Sequence, residues 1–395
     1  MNKKRILILN YVVMKKNLFL LGLAVAAMTS CTNDEVVEMQ QPTQKAIGFE
    51  TFVNKGTRAI TTTDAPAIKK DENGTDVISG LQRFYTFGYY KANELVFDNI
   101  LVYNSIKTEN NTSNIIWNYA EKKYWTRNTY QFGAYANGNS ETSSLAAEFG
   151  ESNNTVNLTI KDYEVKDAND LVADIVTIDN SNLGSPIVGF TFKHMLSKVK
   201  FTIKNTDSQY KMKIVSALVI NGAMKKGNCV VSKDPNANKT SLTNVVWSAT
   251  TGETAATYKP FFKSVSGEGN NNSTIIQSGD NIGTSNDYIA KEGYVESEEF
   301  LVMPQNLANV TYSVTVKFYD NDNQEVRTKT LTGKPVLSHN NDTGAHVWNY
   351  NTVYHYTIGL PTSAQPIEFG NIGVSGWYDP QEVTLPVTAD EGNNN

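Results

Sequence analysis

The sequence predicts an all-β protein made of antiparallel sandwiches, and three observations predict it. Apolar residues alternate with polar ones at a period of two in segment after segment. No stretch behind Cys31 repeats at the helical period. Connectors rich in Asn, Gly and Ser, such as "DPNANKTS" and "SGEGNNNS", separate the alternating runs and suit turns and exposed loops. Composition agrees, since 20 Tyr and 16 Phe among 395 residues, with many Thr and Val, favour strands. A hydrophobic fraction of 40% is enough for ordinary cores, and the length suits two medium domains better than one. A net charge of −5 and a pI near 5.6, with no basic stripe, argue against a nucleic-acid partner.

The first element is an address. Lys15 and Lys16 precede the apolar run "LFLLGLAVAA", which has the length of a signal-peptide core and is too short to span a bilayer. Translation is expected to begin at Met14, because residues 1–13 add a second, poorly placed basic and apolar patch. Thr29 and Ser30 then lead into Cys31, a pattern that resembles a bacterial lipobox, where the thiol is lipidated and becomes the new N-terminus. Asp34 and Glu35 resemble the acidic tag that sends lipoproteins to the outer surface in the Bacteroidetes. An export signal with a chance cysteine is the plainer reading. On the lipoprotein reading, residues 1–30 are signal, Cys31 holds the chain to the outer membrane, and residues 31–45 are a polar tether. Cys229 then has no partner for an intrachain disulfide, and the fold stands on packing alone.

"AIGFETFVNKGTRAI" comes next, residues 46–60. Ile47, Phe49, Thr51 and Val53 share one face of a strand, and the other carries Gly48, Glu50, Phe52 and Asn54. The strand runs straight into a polar loop that exposes Arg58. Further strands are expected in "TYQFGAYA" (Tyr130, Phe132, Ala134 on one face) and "TVNLTIKD" (Val156, Leu158, Ile160). In "KVKFTIKN" Val199, Phe201 and Ile203 point inward and Lys198, Lys200, Thr202 and Lys204 outward. "TYSVTVKFYD" aligns Tyr312, Val314, Val316 and Phe318, and "YHYTIGL" aligns Tyr354, Tyr356, Ile358 and Leu360. A boundary is expected near Pro186–His194, where "GSPIVGFTFKH" follows a long irregular stretch. It gives a first domain at 46–190, a second at 191–388 and a frayed tail at 389–395.

Taken in order, "TSC", "AIGFETFVNKGTRA", "YQFGAYAN", "DLVAD", "HMLSKVKF", "FLVMPQ", "HVWNYNTVYHYTIGL" and "IEFGNIGVSGW" resemble the fimbrillin family. These are the lipoprotein-derived pilins and pilus-like proteins of the Bacteroidetes. The resemblance implies two tandem transthyretin-like, Greek-key-type β-sandwich domains that assemble by donor-strand exchange. It also implies that a surface protease with arginine specificity removes the first strand, and that C-terminal strand residues of the next subunit fill the groove. Arg58 stands where the family places that cut, which would make Ala59 the mature N-terminus and Ile47, Phe49, Thr51 and Val53 the displaced strand. The partners so implied are other pilus subunits in a homo- or heteropolymer, the protease, and the outer membrane through the lipid on Cys31 before processing. A solvent-facing loop arginine is the plainer reading of Arg58.

The physics of such an exchange is coherent. At roughly 1.5–3 kcal/mol per large buried side chain, losing Ile47, Phe49 and Val53 removes on the order of 5–9 kcal/mol. That rivals the ~5–15 kcal/mol stability of a domain, so an emptied groove favours capture of another strand. A head-to-tail contact of this kind does not close on itself and gives filaments. In "YDPQEVTLPV" Val383, Leu385 and Val387 alternate as a donor strand must, although Pro386 removes one ladder donor. A last edge strand of the chain's own second domain is the competing reading.

Trp117, Tyr119, Tyr124 and Trp125 are expected in the core, where aromatics bury large areas. Exposed on a groove they would instead suit a non-polymerising surface lipoprotein that binds glycan or another host ligand. His194 and His346 are expected to be hydrogen-bonded structural residues. "DNDNQE" lacks the Gly and closing Glu of a calcium loop, and no phosphate loop or nucleophile elbow is present. The sequence thus offers no catalytic or metal site, calls for no cofactor, and predicts a protein that is not an enzyme.

Overall fold

A computed structural model describes residues 45–53, 65–91, 94–138, 144–166, 169–184, 186–216, 218–234, 244–250, 256–258, 262–264, 275–276, 288–333, 347–360 and 373–376. Cys31, Arg58, Ala59, Val383, Leu385 and Val387 lie outside these residues, as do the signal, the tether, His346 and the tail.

Among the described residues every regular element is a strand. The first is β1 (Gly48–Val53), followed by the hairpin β2 (Ala67–Lys70) and β3 (Asp76–Ser79). Then come β4 (Arg83–Lys91), β5 (Glu94–Glu109), β6 (Thr112–Asn118), β7 (Thr129–Asn137), β8 (Ala147–Ser152), β9 (Thr155–Glu164), β10 (Leu171–Asp179) and β11 (Ile187–His194). The chain continues through β12 (Ser197–Asn205), β13 (Lys211–Ile214), β14 (Val219–Ala223), β15 (Lys226–Lys233), β16 (Asn244–Ala249), β17 (Ala256–Tyr258), β18 (Phe262–Ser264) and β19 (Ile275–Ile276). It closes with β20 (Tyr294–Ser297), β21 (Phe300–Val302), β22 (Gln305–Asn306), β23 (Thr311–Tyr319), β24 (Glu325–Gly333), β25 (Val347–Trp348), β26 (Thr352–Leu360) and β27 (Gly373–Gly376).

Two hairpins show how local chemistry sets the turns. Asn110 and Asn111 join β5 to β6, and Asn153 and Asn154 join β8 to β9, all four with positive φ. Asparagine tolerates that left-handed backbone, and two such residues in succession match the twist of the flanking strands.

The seven-stranded sheet β1-β11-β10-β7-β4-β5-β6 is buried on both faces at its centre. In β7, Tyr130, Phe132, Ala134 and Ala136 join one core with Phe49, Phe84, Phe97, Phe190 and Phe192. Tyr135, from the opposite face of β7, joins a second core with Leu171, Ala173 and Ile175 of β10. That second core is covered by the four-stranded sheet β16-β15-β9-β8, through Val156, Leu158 and Ile160 of β9 and Cys229 and Val231 of β15. The third core lies between the sheet β19-β18-β20-β12-β26-β27 and the sheet β13-β23-β14-β17, where β12, β23 and β26 present the inward residues their alternation predicts. The β-sandwich architecture expected from sequence is therefore present.

Two features concern the region around residue 190. β9 pairs antiparallel with β15, so one sheet is shared by strands on either side of that position. β11 spans it as a continuous strand and belongs to the first core.

Candidate functional site

β1 is an edge strand seated in an aromatic groove. β1 runs parallel to β11, from Gly48 opposite Ile187 to Val53 opposite Phe192, and among the described residues β11 is its only ladder partner. Just before β1, the chain bonds to the segment behind β6. Ile47 N donates to Lys123 O at 2.8 Å, Trp125 N donates to Lys45 O at 3.2 Å, and Tyr119 Oη donates to Ile47 O at 2.9 Å.

Alternation places Ile47, Phe49 and Thr51 inward and Glu50 in solvent. Phe49 is 7% exposed and is ringed by aromatic side chains. Its centroid lies 5.4 Å from Phe97, 5.6 Å from Tyr119 and 5.9 Å from Phe84, all edge-on. Phe132 lies 6.2 Å away edge-on, and Phe190 6.2 Å away and stacked. Edge-to-face and offset contacts add to area burial, so Phe49 is the centre of the groove. Thr51 is 9% exposed, opposite Phe190 in the β11 register, and its Oγ1 has no hydrogen-bond partner among the described residues.

β11 is itself held in an unusual way. It ladders with β10 only at Val172 opposite His194 and Ala173 opposite Lys193. Past that point the buried Asp174 side chain takes over. Its Oδ2 accepts from Thr191 N and its Oδ1 from Ile175 N, both at 2.8 Å. Burial pushes the Asp174 carboxyl up to about 6, opposed by these hydrogen bonds and by Lys233 and Lys193. Lys233 ends the apolar face of β15 and donates from Nζ to Ile175 O at 2.8 Å; burial pulls its ammonium down while Asp174 opposes the shift. At the other end of the joint, His194 Nδ1 bonds to Asp170 Oδ2 within the core, the structural role expected of this histidine.

The other residues marked by the sequence also find plain structural roles. Trp125 and Tyr119 are buried and Trp117 packs against Phe84 at 5.1 Å, whereas Tyr124 is 49% exposed. The 117–125 aromatics thus mainly wall the groove around β1. In "DNDNQE", Asp320 Oδ1 accepts from Asp322 N and Gln324 N, which makes the carboxylate a turn former. Sequence reasoning did not single out Phe84, Phe97, Phe190 or Asp174. Alternation in "IVGFTF" carried the signal for Phe190; nothing local marked Asp174.

Residues 57–377 match a family described as fimbrillin-like, and this sets the class, that of pilus-related subunits. The chain belongs to the fimbrillin-like family. Similar solved structures include a candidate cell adhesion protein from Bacteroides uniformis ATCC 8492, at 16% identity and a TM-score of 0.40, covering 85% of this chain and 100% of that one. Another, from Bacteroides eggerthii DSM 20697, has 12% identity and a TM-score of 0.41, covering 85% and 96%. The fimbrial anchor protein Mfa2 from Porphyromonas gingivalis has 9% identity and a TM-score of 0.28, covering 84% and 98%. No curated protein matches the chain.

Proposed function

We propose that the chain is a structural or adhesive subunit of a surface fimbria, made as a precursor lipidated at Cys31 and held at the outer membrane. An arginine-specific protease cuts after Arg58, β1 leaves, and the groove accepts a strand from another subunit, with Val383, Leu385 and Val387 as this chain's own donor. Residues 46–190 form the sandwich that gives up its strand and residues 191–388 the sandwich behind it. The observation that carries this reading is the seating of β1: an edge strand, first in the described chain, whose Phe49 fills the middle of an aromatic groove. Burial of Ile47 and Phe49 alone corresponds to roughly 3–6 kcal/mol, enough to make an empty groove take up a replacement.

Treatment of the folded, unlipidated chain with an arginine-specific protease tests it. The expected result is an N-terminus at Ala59 and then ladders of oligomers stable in warm detergent, and Arg58→Ala is expected to stop both while leaving the melting temperature unchanged. Clean trimming that leaves only monomers would sink the proposal.

A further inference from the structure

We infer that Thr51 is the residue that makes β1 a replaceable occupant of its groove. This rests on the strand-exchange reading and deepens it by naming where the resident strand is weak.

Thr51 lies on the core-facing side of β1, two residues past Phe49 and abreast of Phe190, in a row whose other described members are Ile47 and Phe49. Water reaches only 9% of it, and among the described residues its Oγ1 finds neither a backbone carbonyl nor a side-chain acceptor. A hydroxyl removed from water without a new hydrogen bond lowers stability, whereas a methyl group of the same shape gains from burial. The site beneath Thr51 therefore suits an aliphatic side chain better than the one it holds. The parallel pairing of β1 with β11 works in the same direction, since parallel ladders are slightly weaker per residue than antiparallel ones. Phe49 keeps the groove filled and folded, and Thr51 keeps the filling exchangeable. A strand with aliphatic residues at all its inward positions, such as one carrying Val383, Leu385 and Val387, meets no orphaned hydroxyl there. Specificity for such a donor comes from the difference between the two occupants.

The test compares wild-type full-length chain with Thr51→Val and Thr51→Ser. First, thermal unfolding is measured without cleavage; Thr51→Val is expected to melt higher than wild type and Thr51→Ser lower. Second, each chain is cut after Arg58 and challenged with excess synthetic peptide spanning residues 378–388, and the half-time for release of the β1 fragment is read by mass spectrometry. Thr51→Val is expected to retain the fragment about tenfold longer, the effect of relieving one buried unpaired hydroxyl. A Thr51→Val chain that melts at or below wild type, or that releases its fragment at the wild-type rate, overturns the inference. If the peptide displaces nothing even from wild type, the exchange reading falls, and the uncleaved melting comparison still decides whether Thr51 is a weak point.

Discussion

Phe49 and Asp174 carry the sharpest expectations for single residues. Phe49→Ala empties a site walled by Phe84, Phe97, Tyr119, Phe132 and Phe190, and a loss of about 3–5 kcal/mol is expected, read as a drop in denaturant midpoint. Asp174 has its folded pKa raised from 3.8 to about 6, so the folded state binds a proton more tightly than the unfolded chain. The resulting stability is fully present below about pH 4 and is lost as pH rises through about 6, on the order of 2–3 kcal/mol. Asp174→Asn is expected to flatten that fall when urea midpoints are compared between pH 4 and 7, at a fixed cost for the second acceptor that an amide lacks. Equal slopes in both proteins would show that the carboxyl does not titrate there. The inward set Ile47, Phe49 and Thr51 was legible because alternation assigns a face. The orphaned hydroxyl and the Asp174 joint were not, because both depend on which strand lies alongside.

Among elements, β14 illustrates a constraint that no substitution can evade. Its register against β17 shifts between Asn221 and Ala223, and Gly222 there has a φ of +85°. A Cβ at Gly222 would stand 2.3 Å from Asn309 O, a backbone atom that cannot swing away. Gly222→Ala is expected to destabilise the chain by about 2–4 kcal/mol, through both the strained backbone and the clash, measurable by thermal melting. β11 marks the limit of reading elements from pattern. "IVGFTF" alternates cleanly, and the strand follows it from Ile187 to His194. Alternation tells which face is buried and is silent about the partner, so neither the parallel β1–β11 ladder nor the short β10–β11 one was visible.

For the molecule as a whole, the shared sheet matters most. The second core draws Tyr135, Leu158 and Ile175 together with Met195, Cys229, Val231 and Met303, so neither half of the chain completes it alone. Residues 46–190 expressed without the rest are expected to aggregate, exposing the edge of β9 that pairs with β15 and the part of β10 that β15 covers; co-expression with residues 191–388 is expected to restore solubility. A soluble, monomeric fragment would show that the second core is dispensable. The all-β class was legible because two-residue periodicity recurs in strands spread along the chain, β9, β12, β23 and β26 among them. The joining of distant segments was not, since every strand between β9 and β15 belongs to some other sheet.

That joining sets how the molecule answers a pull. Were the halves connected by the peptide between β11 and β12 alone, tension along the chain would first straighten a tether and let them drift apart. With β9 bonded to β15, separating them means tearing a ladder that runs from Lys226 opposite Glu164 to Lys233 opposite Val156. A surface appendage dragged by flow would stay stiff at this point until the ladder itself gave way.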